Sequence, residues 1–177
     1  MTLAKISGLD YAEATDKMTA AIRAFNIASE DAARVTDTLA ALSSNAAATS
    51  EEIANALTKT ASIAGSAGMS LESTSALLTK MIETTRESAT NIGTALKTVI
   101  ARFTEVKDST DDMEASLNSF NVNKVEKALK SIGVRLRDSS GQIRDLDKVF
   151  MELSKQWDGL DRNTQRYIAT LAAGSRQ

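Results

Sequence analysis

The densest group of potential acid–base residues is Asp108, Asp111, Asp112 and Glu114. Neighbouring carboxylates can divide acid and base roles when their surroundings separate their pKa values. These four fall in a Ser- and Thr-bearing stretch without a strong apolar stripe, so they read as a solvated linker. They also miss the calcium-loop pattern, having no central Gly and no Glu at the twelfth position. Gly65 and Gly68, within Ala-Gly-Ser-Ala-Gly-Met-Ser, raise the question of a phosphate cradle. A P-loop needs Gly-Lys-Ser/Thr after four intervening residues, and a dinucleotide fingerprint needs a preceding strand. Neither is present, and helix capping or close packing is the better reading.

Arg135, Arg137, Arg144 and Lys148 form the basic cluster most suited to a phosphate or an acidic partner. Asp138, Asp145 and Asp147 are interleaved with them, which favours local ion pairing on an exposed face. Trp157, the sole Trp, falls in an apolar helical stripe and reads as core, with a partner hot spot as the second reading. Arg135, Arg137, Arg144 and Trp157 are therefore the candidate protein-contact surface. No residue is assigned a catalytic role, and no cofactor or metal is expected.

Composition narrows the chemistry further. The chain has 177 residues, 42% hydrophobic and 25% charged, with a formal net charge of −2 and no His, Cys or Pro. That balance suits a folded chain rather than a disordered one. Without Cys there is no disulfide framework. Without Cys or His the usual zinc and transition-metal sites, and the Ser–His and Cys–His nucleophile systems, are excluded. A near-neutral charge argues against non-specific nucleic-acid binding, and no specific nucleic-acid partner is expected. No run approaches 18 apolar residues, so no transmembrane helix is expected. Lys5, Asp10, Glu13, Asp16 and Lys17 interrupt any signal-peptide apolar region.

The elements that must position these residues are mostly helical. Asp10 is an N-cap candidate, followed by Tyr11, Ala14, Met18, Ile22 and Phe25 on one face. A second helix is expected from Ser29, with Glu30 and Asp31 at its positive end and Ala32, Val35, Leu39 and Leu42 as its stripe. A third starts near Ser50 through Ile53, Ala56, Leu57, Thr60 and Ala64, ending at the Gly-bearing segment 64–68. Ser70 opens a fourth with Leu71, Thr74, Leu77, Leu78, Met81 and Ile82. The fifth carries Ile92, Leu96, Val99, Phe103 and Val106. Small residues on these helices permit close approach within one chain or between copies, and the shortage of aromatics favours further burial by self-association.

Beyond the acidic stretch the pattern changes. A short helix capped by Asn121 or Asn123 carries Val125, Leu129 and Ile132 and stops at Gly133. Val134-Arg135-Leu136-Arg137 alternates as a half-buried strand does, Asp138-Ser139-Ser140-Gly141 is turn chemistry, and Gln142-Ile143-Arg144 returns. Helical spacing resumes with Leu146, Val149, Phe150, Leu153, Trp157 and Leu160, and a last helix offers Tyr167, Ile168 and Leu171. The expected fold is mainly α: a multi-helix array of short amphipathic helices followed by a small helix–β-hairpin–helix unit. The expected divisions are an Ala-rich helical domain of about five helices over 1–108, an acidic linker over 109–120, and an α-β-hairpin-α-α unit over 121–177.

The run Ala64-Gly65-Ser66-Ala67-Gly68-Met69-Ser70-Leu71-Glu72, followed by Asn91-Ile92-Gly93-Thr94-Ala95-Leu96-Lys97, resembles the core region of phage tail tape measure proteins. Val125-Glu126-Lys127-Ala128-Leu129, Gly133-Val134-Arg135-Leu136-Arg137-Asp138, Gly141, Arg144-Asp145-Leu146, Trp157-Asp158 and Ala173-Gly174-Ser175-Arg176-Gln177 continue it. The similarity covers nearly the whole chain, and its specificity lies in the order and spacing of motifs that are not catalytic. It implies a non-enzymatic structural protein of long-tailed phages or prophages that sets tail length during assembly and leaves at DNA ejection. The implied partners are other copies and tail-tube, chaperone or tail-tip proteins, with membrane contact only for the full-length protein. The implied location is the virion tail, and the host cytoplasm during assembly.

A single helical rod of this length would reach only ~265 Å at about 1.5 Å per residue, and the Gly-marked breaks argue against one rod. The chain is thus expected to be a folded domain or fragment of a longer protein. The alternative, from another functional class, is a membrane-active helical effector inserting into the host cell envelope; it has weak support, because the helices lack a strongly basic polar face.

Overall fold

In the computed structural model the described residues are 10–104 and 124–174. They form eight α-helices: α1 (Tyr11–Ala24), α2 (Ala33–Asn45), α3 (Ser50–Ser66), α4 (Leu71–Thr85), α5 (Ala89–Thr104), α6 (Lys124–Ser131), α7 (Leu146–Trp157) and α8 (Arg162–Ala173). The chain divides into two compact units, Met1–Lys97 and Thr98–Gln177, so the division falls inside α5. The linker expected over 109–120, with Asp111, Asp112 and Glu114, lies outside the described residues, as does Asp108 just before it.

In the first unit, the chemistry of the helix ends is local and clear. The Asp10 carboxylate accepts from the Glu13 N–H at 2.9 Å, as an N-cap does. Thr49 and Glu52 form a capping box: the Glu52 N–H donates to Thr49 Oγ1 at 3.1 Å, and the Thr49 N–H donates to the Glu52 carboxylate at 2.8 Å. At the end of α3, the Met69 N–H reaches the Ala64 carbonyl (3.0 Å) and the Gly68 N–H reaches Gly65 (3.1 Å). This paired closure requires a left-handed residue, supplied by Gly68 at φ 71°. Met69, just beyond, is buried.

Within this unit α3 is central, touching α1, α2 and α4. Its Ile53, Ala54, Ala56, Leu57, Ala61 and Ala64 are all buried. The core is thin in aromatic mass, and close approach of backbones takes its place. A Cβ added at Gly65 would lie 1.9 Å from the Ala24 carbonyl oxygen, and one at Gly93 would lie 2.4 Å from that of Ala56. Gly65 and the alanines of α3, with Gly93 of α5, thus serve packing inside the unit.

Three expectations in this unit need correction. The helix expected from Ser29 is interrupted: Ser29–Asp31 is a 3-10 turn, and the α-helix starts at Ala33. Ala28 makes no side-chain cap bond there, so the chain enters by the tighter turn. Tyr11, read as part of the first apolar face, is 60% exposed. Leu77 is also exposed, whereas Ser75 and Thr79 on the same helix are buried. Helix α4 buries Thr74, Ser75 and Thr79 together with Leu71, Leu78 and Ile82, so its covered face is rotated away from Leu77.

The second unit contains the last turns of α5 and helices α6, α7 and α8, with α6 packed on α8. Phe103 of α5 meets Phe150 of α7 edge to face, centroids 5.0 Å apart at 79°. Arg102 donates to the Leu171 carbonyl of α8 at 3.1 Å. Leu129, Val134, Leu136, Leu146, Val149 and Ile168 are buried, each contributing about 1.5–3 kcal/mol by removal from water.

The expected β-hairpin is not formed: among the described residues there is no strand, and residues 134–144 hold one isolated antiparallel bridge, Arg137 to Ile143. The alternation was physically meaningful, since Val134 and Leu136 are buried and Arg135 is exposed. The ladder stops at the turn because a side chain takes one of its backbone donors: the Gln142 N–H donates to the Asp138 carboxylate (3.0 Å). At the other end the Arg135 carbonyl, which this register turns away from the second arm, accepts from the Arg144 guanidinium (2.7 Å). Only the Asp138 N–H to Gln142 carbonyl and the Arg144 N–H to Leu136 carbonyl bonds, each 2.9 Å, remain between the two arms.

Candidate protein-contact surface

The arginine loop is set up by the end of α6. The Gly133 N–H bonds the Lys130 carbonyl (3.1 Å) and the Val134 N–H bonds Leu129 (3.0 Å), with Gly133 at φ 81°. This closure sends Val134 into the core beside the helix it leaves, and the next residue, Arg135, to solvent. At the far end, the Asp138 carboxylate accepts from the Ser140 N–H (2.8 Å), the Ser140 hydroxyl (2.7 Å) and the Gln142 N–H (3.0 Å). These donors hold its pKa below the usual aspartate value, the Ser140 hydroxyl bond being the largest cause.

Two of the three arginines are fixed by helical glutamates. Arg137 Nε donates to Glu126 of α6 at 3.0 Å, and its Nη1 to the Gly141 carbonyl at 2.9 Å. Arg144 grips Glu152 of α7 with two parallel bonds, Nη1 at 2.9 Å and Nη2 at 2.5 Å. The pair raises the Arg144 pKa and lowers that of Glu152, chiefly through these hydrogen bonds. Arg135, by contrast, has no side-chain hydrogen bond or ion pair among the described residues; its charge acts on Glu152 only at longer range.

These side chains surround an open cleft of about 490 Å³ lined by Arg135, Arg137, Asp138, Ser139, Arg144 and Glu152. Trp157 is not among its lining residues. It ends α7, half-buried, and its carbonyl accepts from the Gln165 side chain of α8 at 2.7 Å. The structure therefore brings Arg135, Arg137 and Arg144 together and gives Trp157 a place in the α7–α8 connection.

The ion pairing expected of the loop occurs with different partners. Of the interleaved aspartates, Asp145 pairs with Lys148 at 2.7 Å, while Asp138 is occupied by its own turn. Glu126 and Glu152, which hold the arginines, were not singled out by the sequence. They lie on helices 11 and 8 residues away from their partners, a separation that carries no short-range signal.

A family model described as phage-related minor tail protein matches residues 1–174. The chain belongs to that family. No curated protein and no solved structure matches it. For a phage-related minor tail protein, the expected setting is the virion tail, with a structural role alongside other tail proteins. The family description is broader than the tape measure core that the motifs resemble. Among the described residues of this minor tail protein no helix is long and apolar enough to cross a membrane.

Proposed function

We propose that this chain is a core segment of a tape measure protein, acting by occupancy and contact without a covalent step. The observation that carries the reading is the family match, which runs over residues 1–174 rather than over one motif. The helical make-up and the ordered motifs of both units support it. Tail length would be set during assembly by the full-length protein, to which this chain contributes folded helical units. Its partners would be other copies and the tail-tube, chaperone or tail-tip proteins, met in the host cytoplasm and retained in the virion tail. The contact surface would be Arg135, Arg137 and Arg144 at the cleft, with Trp157 at the end of α7.

The reading is tested by following the protein through infection. Mass spectrometry of purified particles should recover peptides from residues 10–174, and the same peptides should be lost from particles after DNA ejection. Retention after ejection, or absence from intact particles, contradicts it.

A further inference from the structure

The geometry points to the 490 Å³ cleft beside Arg135 as a seat for a carboxylate side chain carried on an acidic polypeptide segment of a partner protein. This deepens, and rests on, the reading of the arginine loop as a contact surface. Asp138 accepts three bonds from its own turn, Glu152 accepts two from Arg144, and Glu126 accepts one from Arg137. Each of these acids is thus already paired with donors of the protein itself, while the Arg135 guanidinium brings five N–H donors with no bond among the described residues. What the cleft has in excess is donors, and the complementary ligand is an acceptor.

The same inventory selects a carboxylate over a polyanion. The cleft is lined by Arg135, Arg137 and Arg144 against Asp138 and Glu152, one positive charge in excess; a single unpaired guanidinium matches one carboxylate, whereas holding a nucleic-acid backbone takes several neutralised phosphates. Its attraction is short-range: two parallel bonds from the planar guanidinium of Arg135 to one carboxylate. Arg144, held rigid by Glu152 and by the Arg135 carbonyl, keeps that part of the backbone in place and lowers the cost of ordering it on binding. One such contact is weak, which suits an assembly where contacts are repeated and act together.

The test uses the full chain, isotope-labelled, titrated with a blocked hexapeptide of alternating Glu and Gly and followed by NMR. Saturable shifts are expected at residues 133–144 and at the Arg135 Nε–H, with affinity reduced at least tenfold by Arg135→Gln and by replacing Glu with Gln in the peptide. Arg135→Lys, which keeps the charge but not the paired donors, should fall between. Arg135 is exposed, and an unchanged circular dichroism spectrum verifies that the variants fold. An equal response from Arg135→Gln, no saturable shift, or tighter binding of a single-stranded oligonucleotide at the same salt overturns the proposal. A chain that ignores the peptide yet still co-purifies with tail proteins refutes the carboxylate seat and leaves the tail role standing. A chain that binds the peptide but is absent from particles does the reverse.

Discussion

The hydroxyl of Thr60 donates to the carbonyl of Gly93 at 2.8 Å inside the first unit, joining α3 to α5 across 33 residues of sequence. The contact exists only because Gly93 has no side chain. A Cβ there would lie 2.4 Å from the Ala56 carbonyl oxygen and 2.9 Å from the Lys59 Cβ. The Ala24–Gly65 contact follows the same rule, and together they explain how a chain with 4% aromatics closes a core.

Substitution of either glycine should therefore destabilise the first unit. Ala favours a helix interior over Gly by about 1 kcal/mol, yet overpacking against rigid backbone typically costs about 1–3 kcal/mol. Both obstructing atoms belong to backbone, so the steric cost should prevail, and Gly65→Ala and Gly93→Ala should each lower stability by up to about 2 kcal/mol. Gly159→Ala, whose Cβ would meet the Gln156 carbonyl oxygen at an ordinary 3.5 Å, should change it little. Urea unfolding of the three variants decides the matter.

Ser75 offers the opposite sign. Its side-chain oxygen is buried without a hydrogen-bond partner among the described residues, and leaving a polar group so placed costs about 1–3 kcal/mol. Ser75→Ala removes that oxygen and raises helix propensity, so it should be neutral or stabilising by up to about 1 kcal/mol. A lowered unfolding midpoint for this variant would show that the hydroxyl has a structural role.

Acid should weaken the second unit through Glu152. Its pKa is lowered in the folded state by the paired bonds from Arg144, so its contribution is present above the unfolded value of about 4.3. That contribution is lost as pH falls through the lower folded value. Asp138 and Asp161 are shifted the same way, by their turn and cap bonds respectively. Melting followed from pH 7 to pH 3 should show a fall concentrated below about pH 4.3, and Glu152→Gln should fall less steeply than the parent chain. Equal slopes would mean that the Arg144–Glu152 pair contributes nothing across this range.

What the sequence made legible was local. The ends of α3 and α6 could be read because Gly68 and Gly133 supply a backbone conformation that few other residues adopt readily. Asp10 could be read because its cap bond spans only three residues. The burial of Val134 and Leu136 followed from alternation, but their membership of a strand did not. Alternation reports which side chains face the core, whereas ladder formation depends on whether a side chain, here Asp138, takes the backbone donors. The start of α2 was hidden because Ala28 offers no cap and the chain enters by a 3-10 turn; the exposure of Tyr11 and Leu77 was hidden because periodicity defines a stripe, and the facing helix decides which edge of it is covered. At the cleft, the arginines were visible but Glu126 and Glu152 were not, since tertiary pairing has no fixed spacing.

The proposed role of this chain as a length-setting segment of a phage tail is read out by particle length. An in-frame duplication of residues 11–104 in the full-length gene, with tails measured by electron microscopy, should give tails that are uniformly longer, by up to about 1.5 Å per inserted residue. Stable duplicated protein incorporated into tails of unchanged length would contradict the account.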